Sequence, residues 1–311
     1  MGYLYLAISK FCAEAKMAAM KCCGNANDST NTSVKVNAVR SGIILIVSLI
    51  VFAIGRTATA SGLWIAALGG VSNALNMLSW LICATAASLC LVETFSMIGA
   101  VVIPLALSPL LYPGETVSPL GWVGAAIMFV AVALFCVGKS VKIDFKGAVW
   151  IAVCTLSSTG VNVFSKMYAV SVGGEYAAFY NLVSFAIVFV FFAVSAAVVR
   201  LLDRKSKSEP AAENGAEDKS APVAAHEKTI FGLSGRTYIF IAVAAVGMYA
   251  TNYFMTLAAA VLPSGILYPL SYAVGFVLTA LTDTLIFRQK LTLVRAVATV
   301  LTIAGAVLTA L

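Results

Sequence analysis

The chain reads as an all-α polytopic membrane protein, with ten transmembrane helices in two inverted five-helix repeats. Three observations predict this. Of its 311 residues 61% are apolar and 11% charged, against about 45–50% and 25% in soluble domains. The apolar residues fall in runs of about 20, the length that carries a helix across a bilayer core. The stretch 95–138 can also be laid over the stretch 270–311 at a constant offset of 175, which matches it as far as residue 136. At that offset Ser96 falls on Ser271, Leu105 on Ala280, and the polar turn Gly114-Glu115-Thr116 on Gln289-Lys290-Leu291. Duplicated hydrophobic halves mark carriers whose solute site lies between the repeats.

The apolar runs predict helices over 2–21, 39–56, 61–84, 88–111, 119–138, 147–169, 176–201, 237–260, 264–287 and 291–311. Continuous runs of this length exclude a transmembrane barrel, whose strands are short and alternate in hydropathy. The first run carries Lys10, Glu14 and Lys16 where a signal peptide has its apolar core, so it is expected to be retained. An interfacial amphipathic helix is the alternative; the match of Tyr5-Leu6-Ala7-Ile8 to Trp150-Ile151-Ala152-Val153, at an offset of 145, argues for a span. The same offset lays Lys21 on Lys166.

Basic residues set the orientation, because cytoplasmic loops collect Lys and Arg. With ten spans the loops alternate sides, and 17 of the 20 Lys and Arg fall on one side, with Arg56 and Lys166 on the other and Lys10 inside a span. That side is expected to be cytoplasmic, with both termini outside a plasma membrane. The net charge of +7 then reports topology, and no nucleic-acid partner is expected. Five spans per half make the second half enter from the opposite face. Accordingly, the turn at Pro113-Gly114-Glu115 is acidic where its counterpart Arg288-Gln289-Lys290 is cationic. The first repeat covers 2–139 and the second 147–311, interrupted by a polar segment, 203–235, rich in Ala, Ser, Pro and Glu. Such a composition predicts a disordered cytoplasmic loop.

The order of elements, the turn Gly114-Glu115-Thr116 between small-residue helices with Gly121 and Gly124, and the connection from Leu257 through Pro263-Ser264-Gly265 to Pro269-Leu270 resemble the drug/metabolite transporter superfamily, its EamA-like branch in particular. Two positions depart from that pattern: Gln289-Lys290 stands where Gly-Glu is usual, and Glu93-Thr94 where a proline is common. The resemblance implies secondary transport of a small metabolite, amino acid or drug-like solute by alternating access, coupled to protons or to exchange. A lipid or sugar-phosphate flippase of the same fold is the alternative, with Lys10 and Lys166 binding phosphate; a non-transporting membrane subunit is a third reading.

Candidate site residues follow from the cost of polarity in a bilayer, about 2.5–3.5 kcal/mol for a charge at its centre. Lys10 and Glu14, four residues apart, share one helix face. They are either a counter-ion and a proton or cation site, or a self-neutralising pair. Glu93 is either a proton-loading carboxylate, raised by desolvation, or a hydrated residue near the cytoplasm. Asn76 and Asn252 lie within one residue of equivalence at the 175 offset and are expected to face one another across a central cavity, or to serve as interhelical glue. Tyr268 and Ser271 lie on the ninth span beside Pro269, which kinks it. The only histidine, His226, lies in the polar segment, and the seven cysteines form no Cys-x-x-Cys. No metal, cofactor or enzymatic activity is therefore expected. The expected partners are a small-molecule solute and membrane lipid, and the expected state is a monomer or homodimer.

Overall fold

The computed structural model describes residues 1–22, 30–86, 95–134, 145–208, 235–288 and 292–310. Among them there is no strand. The helical segments are α1 (Gly2–Cys22), α2 (Thr30–Gly55), α3 (Leu63–Ala86), α4 (Phe95–Leu111), α5 (Pro119–Leu134), α6 (Phe145–Ser171), α7 (Ala177–Ser208), α8 (Gly235–Ala259), α9 (Ser264–Leu285) and α10 (Leu293–Ala310). Five are long and apolar enough to cross a membrane, namely α2, α6, α7, α8 and α9; α4, α5 and most of α10 are shorter apolar helices.

The outside of the bundle is apolar and its inside partly polar. Ile46, Leu49, Ile50 and Ile54 stand exposed on α2, and Val190, Val194, Val198 and Leu201 on α7, at the three- and four-residue steps that make one helix face. Buried among the helices are Ser9, Asn73, Ser79, Ser157, Asn181 and Ser184. Hydroxyls and amides between helices, with aliphatic side chains outside, suit a protein embedded in lipid.

Helix α1 packs on α8, α3 on α6, α2 on α7 and α5 on α10; α3 also meets α7, α2 meets α8, α1 meets α9, and α6 meets the first turns of α4. Glycines allow the closest of these crossings. A Cβ on Gly305 would lie 2.7 Å from the carbonyl oxygen of Gly124, and one on Gly124 would strike the carbonyl of Gly305. The two backbones meet there, flanked by the side chains of Met128 and Thr309, the approach that small residues make possible. In α4 the stretch Ile98–Val102 is a π turn. Pro104 follows it and has no N–H for the carbonyl of Ala100, so the helix widens just before the proline. Gly99 lies in that turn, where a Cβ would strike the carbonyl of Thr155 on α6.

The expected boundaries shift in two places. Helix α2 begins at Thr30 instead of at 39, because a helix continues past the end of its apolar run while hydropathy stops there. Helix α7 likewise runs to Ser208, so residues 203–208 of the expected disordered loop are helical, a correction to that boundary. The rest of that segment up to 234, with His226, lies outside the described residues, as does the break between the third and fourth spans from 87 to 94.

Candidate functional site

A narrow cavity of about 120 Å³ lies among α1, α6, α8 and α9, lined by Lys10, Asn162, Ser165, Thr251, Asn252 and Tyr268 with the apolar Val161, Met255, Ala259 and Leu267. At 1.5 Å per residue, Lys10 is about 12 Å from the start of α1, so the cavity lies at mid-depth in the bundle. The Lys10 stem lies beside Gly275 of α9, where a Cβ would be in ordinary contact with Lys10 Cδ at 3.7 Å.

Most hydroxyl protons around this cavity are already used, and each amide has committed one of its two N–H groups. Asn252 Nδ2 donates to the Met248 carbonyl at 3.1 Å, and Asn162 Nδ2 to the Ser158 carbonyl at 3.0 Å. Thr251 Oγ1 donates to the Gly247 carbonyl at 2.7 Å, and Tyr268 Oη to the Asn162 carbonyl at 3.4 Å. Ser165 and Thr256 share a hydroxyl hydrogen bond of 3.0 Å. An amide nitrogen turned to a carbonyl leaves its own amide oxygen pointing away. The cavity therefore offers the amide oxygens, the second N–H of each amide and one cation, Lys10.

Lys10 and Glu14 do not form a salt bridge, and Lys10 has no hydrogen-bond partner among the described residues. Glu14 instead accepts a hydrogen bond from Thr279 on α9. Tyr268 lines the cavity and is 1% exposed. Ser271 is buried one turn further on, with its hydroxyl 4.0 Å from the sulfur of Met255, a lining residue. Asn76 and Asn252 do not face each other across one cavity: Asn76 Nδ2 donates to Ser158 Oγ at 2.7 Å, between α3 and α6, and Asn252 lies against α1. Glu93 lies outside the described residues. Asn162 and Ser165 were not anticipated, although Ser158, Asn162 and Ser165 form a polar stripe at helical spacing on α6 that signals an inward face.

Two ion pairs stand at opposite ends of the bundle. At one end Lys166 Nζ lies 2.7 Å from Glu115 Oε1, donates to the Leu262 carbonyl at 2.7 Å, and stands 5.3 Å above the Tyr112 ring. The other oxygen of Glu115 accepts the Ser264 backbone N–H at 3.0 Å. The carboxylate thus sits on the first turn of α9, where unpaired N–H groups and the helix dipole favour negative charge. The start of α1 is at this end too, since a Cβ on Gly2 would lie 2.8 Å from the Leu262 side chain. So is the end of α10, whose Thr309 carbonyl lies 3.8 Å from a Cβ placed on Gly265.

At the other end Lys21 pairs with Asp283 and stands 4.3 Å above the Phe287 ring. Along α1, Lys21 is about 29 Å from Gly2 at 1.5 Å per residue, close to the thickness of a bilayer core. Tyr112 and Phe287 are 175 residues apart, and Lys21 and Lys166 are 145 apart. Those are the offsets at which the later and earlier stretches of the sequence align. Burial alone would raise the Glu115 carboxyl, but Lys166 and the hydroxyl and N–H of Ser264 outweigh it and hold it below the usual carboxylate range.

No family model matches the chain, and no curated protein matches it significantly. Among solved structures 28 chains match. One, described as "Crystal structure of protein", is 14% identical, covers 97% of this chain and 95% of its own, and superposes with a TM-score of 0.64. At that identity the likeness concerns the fold alone.

Proposed function

We propose that this chain is a secondary transporter that moves a small solute across the plasma membrane by alternating access, built from two inverted five-helix repeats. One observation carries the reading: a polar cavity at mid-depth with a lysine-carboxylate pair at each end of the bundle, the two lysines and their aromatic neighbours standing at repeat offsets. Helix packing supports the repeats. Adding five to each helix number turns the α1–α8 contact into α6–α3, α1–α9 into α6–α4, and α3–α7 into α8–α2, while α2–α7 and α5–α10 map onto themselves.

Each ion pair joins the two halves, Lys166 of the second to Glu115 of the first, and Lys21 of the first to Asp283 of the second. With both formed the cavity is shut at both ends. Opening one while the other holds is the motion that alternating access needs, a rocking of one half on the other. The EamA-like resemblance fits this plan. The flippase reading asks Lys10 and Lys166 to bind phosphate, yet Lys166 is 1% exposed and committed to Glu115 and Leu262, which weighs against it.

The test is solute exchange in proteoliposomes holding the purified protein. Accumulation of a labelled solute driven by its own or a proton gradient, lost when Glu115 and Lys166 are cross-linked as cysteines, is expected. Binding without transmembrane movement, under any imposed gradient, overturns the carrier reading.

A further inference from the structure

We infer that the seam between α2 and α7 holds one acyl chain of an anionic phospholipid, with the lipid phosphate at Arg200. The two helices run antiparallel: Thr57, just after α2, donates to the carbonyl of Glu175, just before α7, at 3.1 Å. At that end the seam is filled, with the rings of Phe52 and Phe179 5.8 Å apart. At the other end the facing side chains are alanines, Ala38 on α2 and Ala193, Ala196 and Ala197 on α7, and a groove of about 550 Å³ opens between the helices. Leu201 lines this groove and also stands on the exposed aliphatic face of α7. The groove therefore faces the lipid side of the bundle, apart from the cavity among α1, α6, α8 and α9, and its occupant is independent of the carrier reading.

Length and charge choose that occupant. Phe189 closes the inner end of the groove, its ring edge 3.4 Å from a Cβ placed on Gly42 of α2. From Phe189 to Arg200 is 11 residues, about 16 Å at 1.5 Å per residue. One leaflet contributes about 15 Å to a bilayer core of ~30 Å. A single acyl chain lying between them spans the groove, and its head group arrives at the exposed Arg200, whose guanidinium suits a phosphate. The surroundings are cationic. Lys35 shares a helix face with Ala38 on α2. The ends of α1, α2 and α8 meet on this side through Met20, Val36 and Tyr238, which brings Lys21 and Arg236 to it as well. Helix α7 continues through Asp203, Arg204, Lys205 and Lys207. Glu14 and Asp283 lie on α1 and α9, where Thr279 and Lys21 engage them. At the filled end the exposed charges, Arg56 and Glu175, cancel. Basic pockets between membrane helices select anionic head groups, whereas a zwitterionic lipid brings a cation of its own against Arg200.

Thermal unfolding of the purified full chain in a nonionic detergent is titrated with dioleoylphosphatidylglycerol, dioleoylphosphatidylcholine and inorganic phosphate. Phosphatidylglycerol is expected to raise the melting temperature at a mole fraction at least about fivefold below the one phosphatidylcholine requires, the factor that one basic residue supplies toward anionic lipid. Phosphate alone is expected to have no effect. Arg200→Gln is expected to abolish the preference while the phosphatidylcholine response stays, and Arg56→Gln, at the filled end, to keep it. Ala193→Leu occupies the groove and is expected to lose the response to both lipids without a fall in the lipid-free midpoint. Equal response to the two lipids, a preference that survives Arg200→Gln, undiminished responses in Ala193→Leu, or stabilisation by phosphate alone overturns the assignment. So does silence of the wild type toward both lipids, the outcome if the acidic segment 209–234 or a second copy of the chain fills the seam.

Discussion

Lys166 stands over the ring of Tyr112 at 5.3 Å, and 145 and 175 residues away in register Lys21 stands over Phe287 at 4.3 Å. Each lysine also holds a carboxylate, Glu115 or Asp283. The two arrangements differ in burial: Lys166 is 1% exposed and Lys21 48%. The consequences for stability and for opening differ accordingly.

Glu115→Gln is expected to destabilise the protein by about 2 kcal/mol or more, since breaking a buried pair from one side leaves the other charge uncompensated. Replacing both partners, Lys166→Met with Glu115→Leu, is expected to recover most of that loss. Thermal unfolding in detergent reads both, and an unchanged midpoint in Glu115→Gln would show that the pair contributes nothing.

The pH dependence has a definite sign. A carboxyl held below its unfolded value contributes stability above that value and loses it as pH falls through the folded one. Glu115 is held low, so its contribution persists at pH 4.5 and disappears only under more acid conditions. Comparing midpoints of wild type and Glu115→Gln from pH 7 downward checks this. Curves that converge above pH 5 would contradict the assignment.

At the Lys21 end Asp283 is buried, but the cation that its loss would leave behind is half-exposed and can stay hydrated, so the stability cost is small. Asp283→Asn is expected to lower stability by less than about 1 kcal/mol, the range of solvent-exposed pairs. It is nonetheless expected to open the Lys21 end, so that a cysteine placed at Asn252 reacts faster with an impermeant thiol reagent applied from that face. Faster labelling from the Lys166 face instead would reverse the proposed gating.

Gly99→Ala tests the α4–α6 crossing. Its Cβ would strike the Thr155 carbonyl, and overpacking of this kind costs about 1–3 kcal/mol. A fall of that size in unfolding free energy is expected. Gly114→Ala separates close packing from backbone conformation: nothing lies within 4 Å of its Cβ, but its φ of +88° is strained for any other residue, so a loss of about 1–2 kcal/mol is expected from conformation alone.

Much of the bundle was legible in the chain. Hydropathy located the helices because a span must bury about 20 residues' worth of apolar surface in lipid, and the misplaced starts and ends, at Thr30 and Ser208, lie where a helix leaves that environment. Lys10 and Glu14 were expected to face the interior for the same reason; Lys10 lines the cavity, and Glu14 is half-buried. Their separation was not legible. Whether two charges one turn apart pair with each other depends on what the neighbouring helix offers, and α9 offered Thr279 to Glu14. For Asn76 the sequence left a cavity role and an interhelical role both open, and only the packing of α6 supplied its partner, Ser158.

The sequence by itself determined the helical class, the apolar exterior and the duplicated stretches, since each depends on composition and spacing along one chain. Tertiary structure alone decided which lysine meets which carboxylate. Glu115 and Lys166 are 51 residues apart, and Lys21 and Asp283 are 262 apart. Partners at such distances are chosen by how helices cross, and the crossings are set by where glycines let backbones approach.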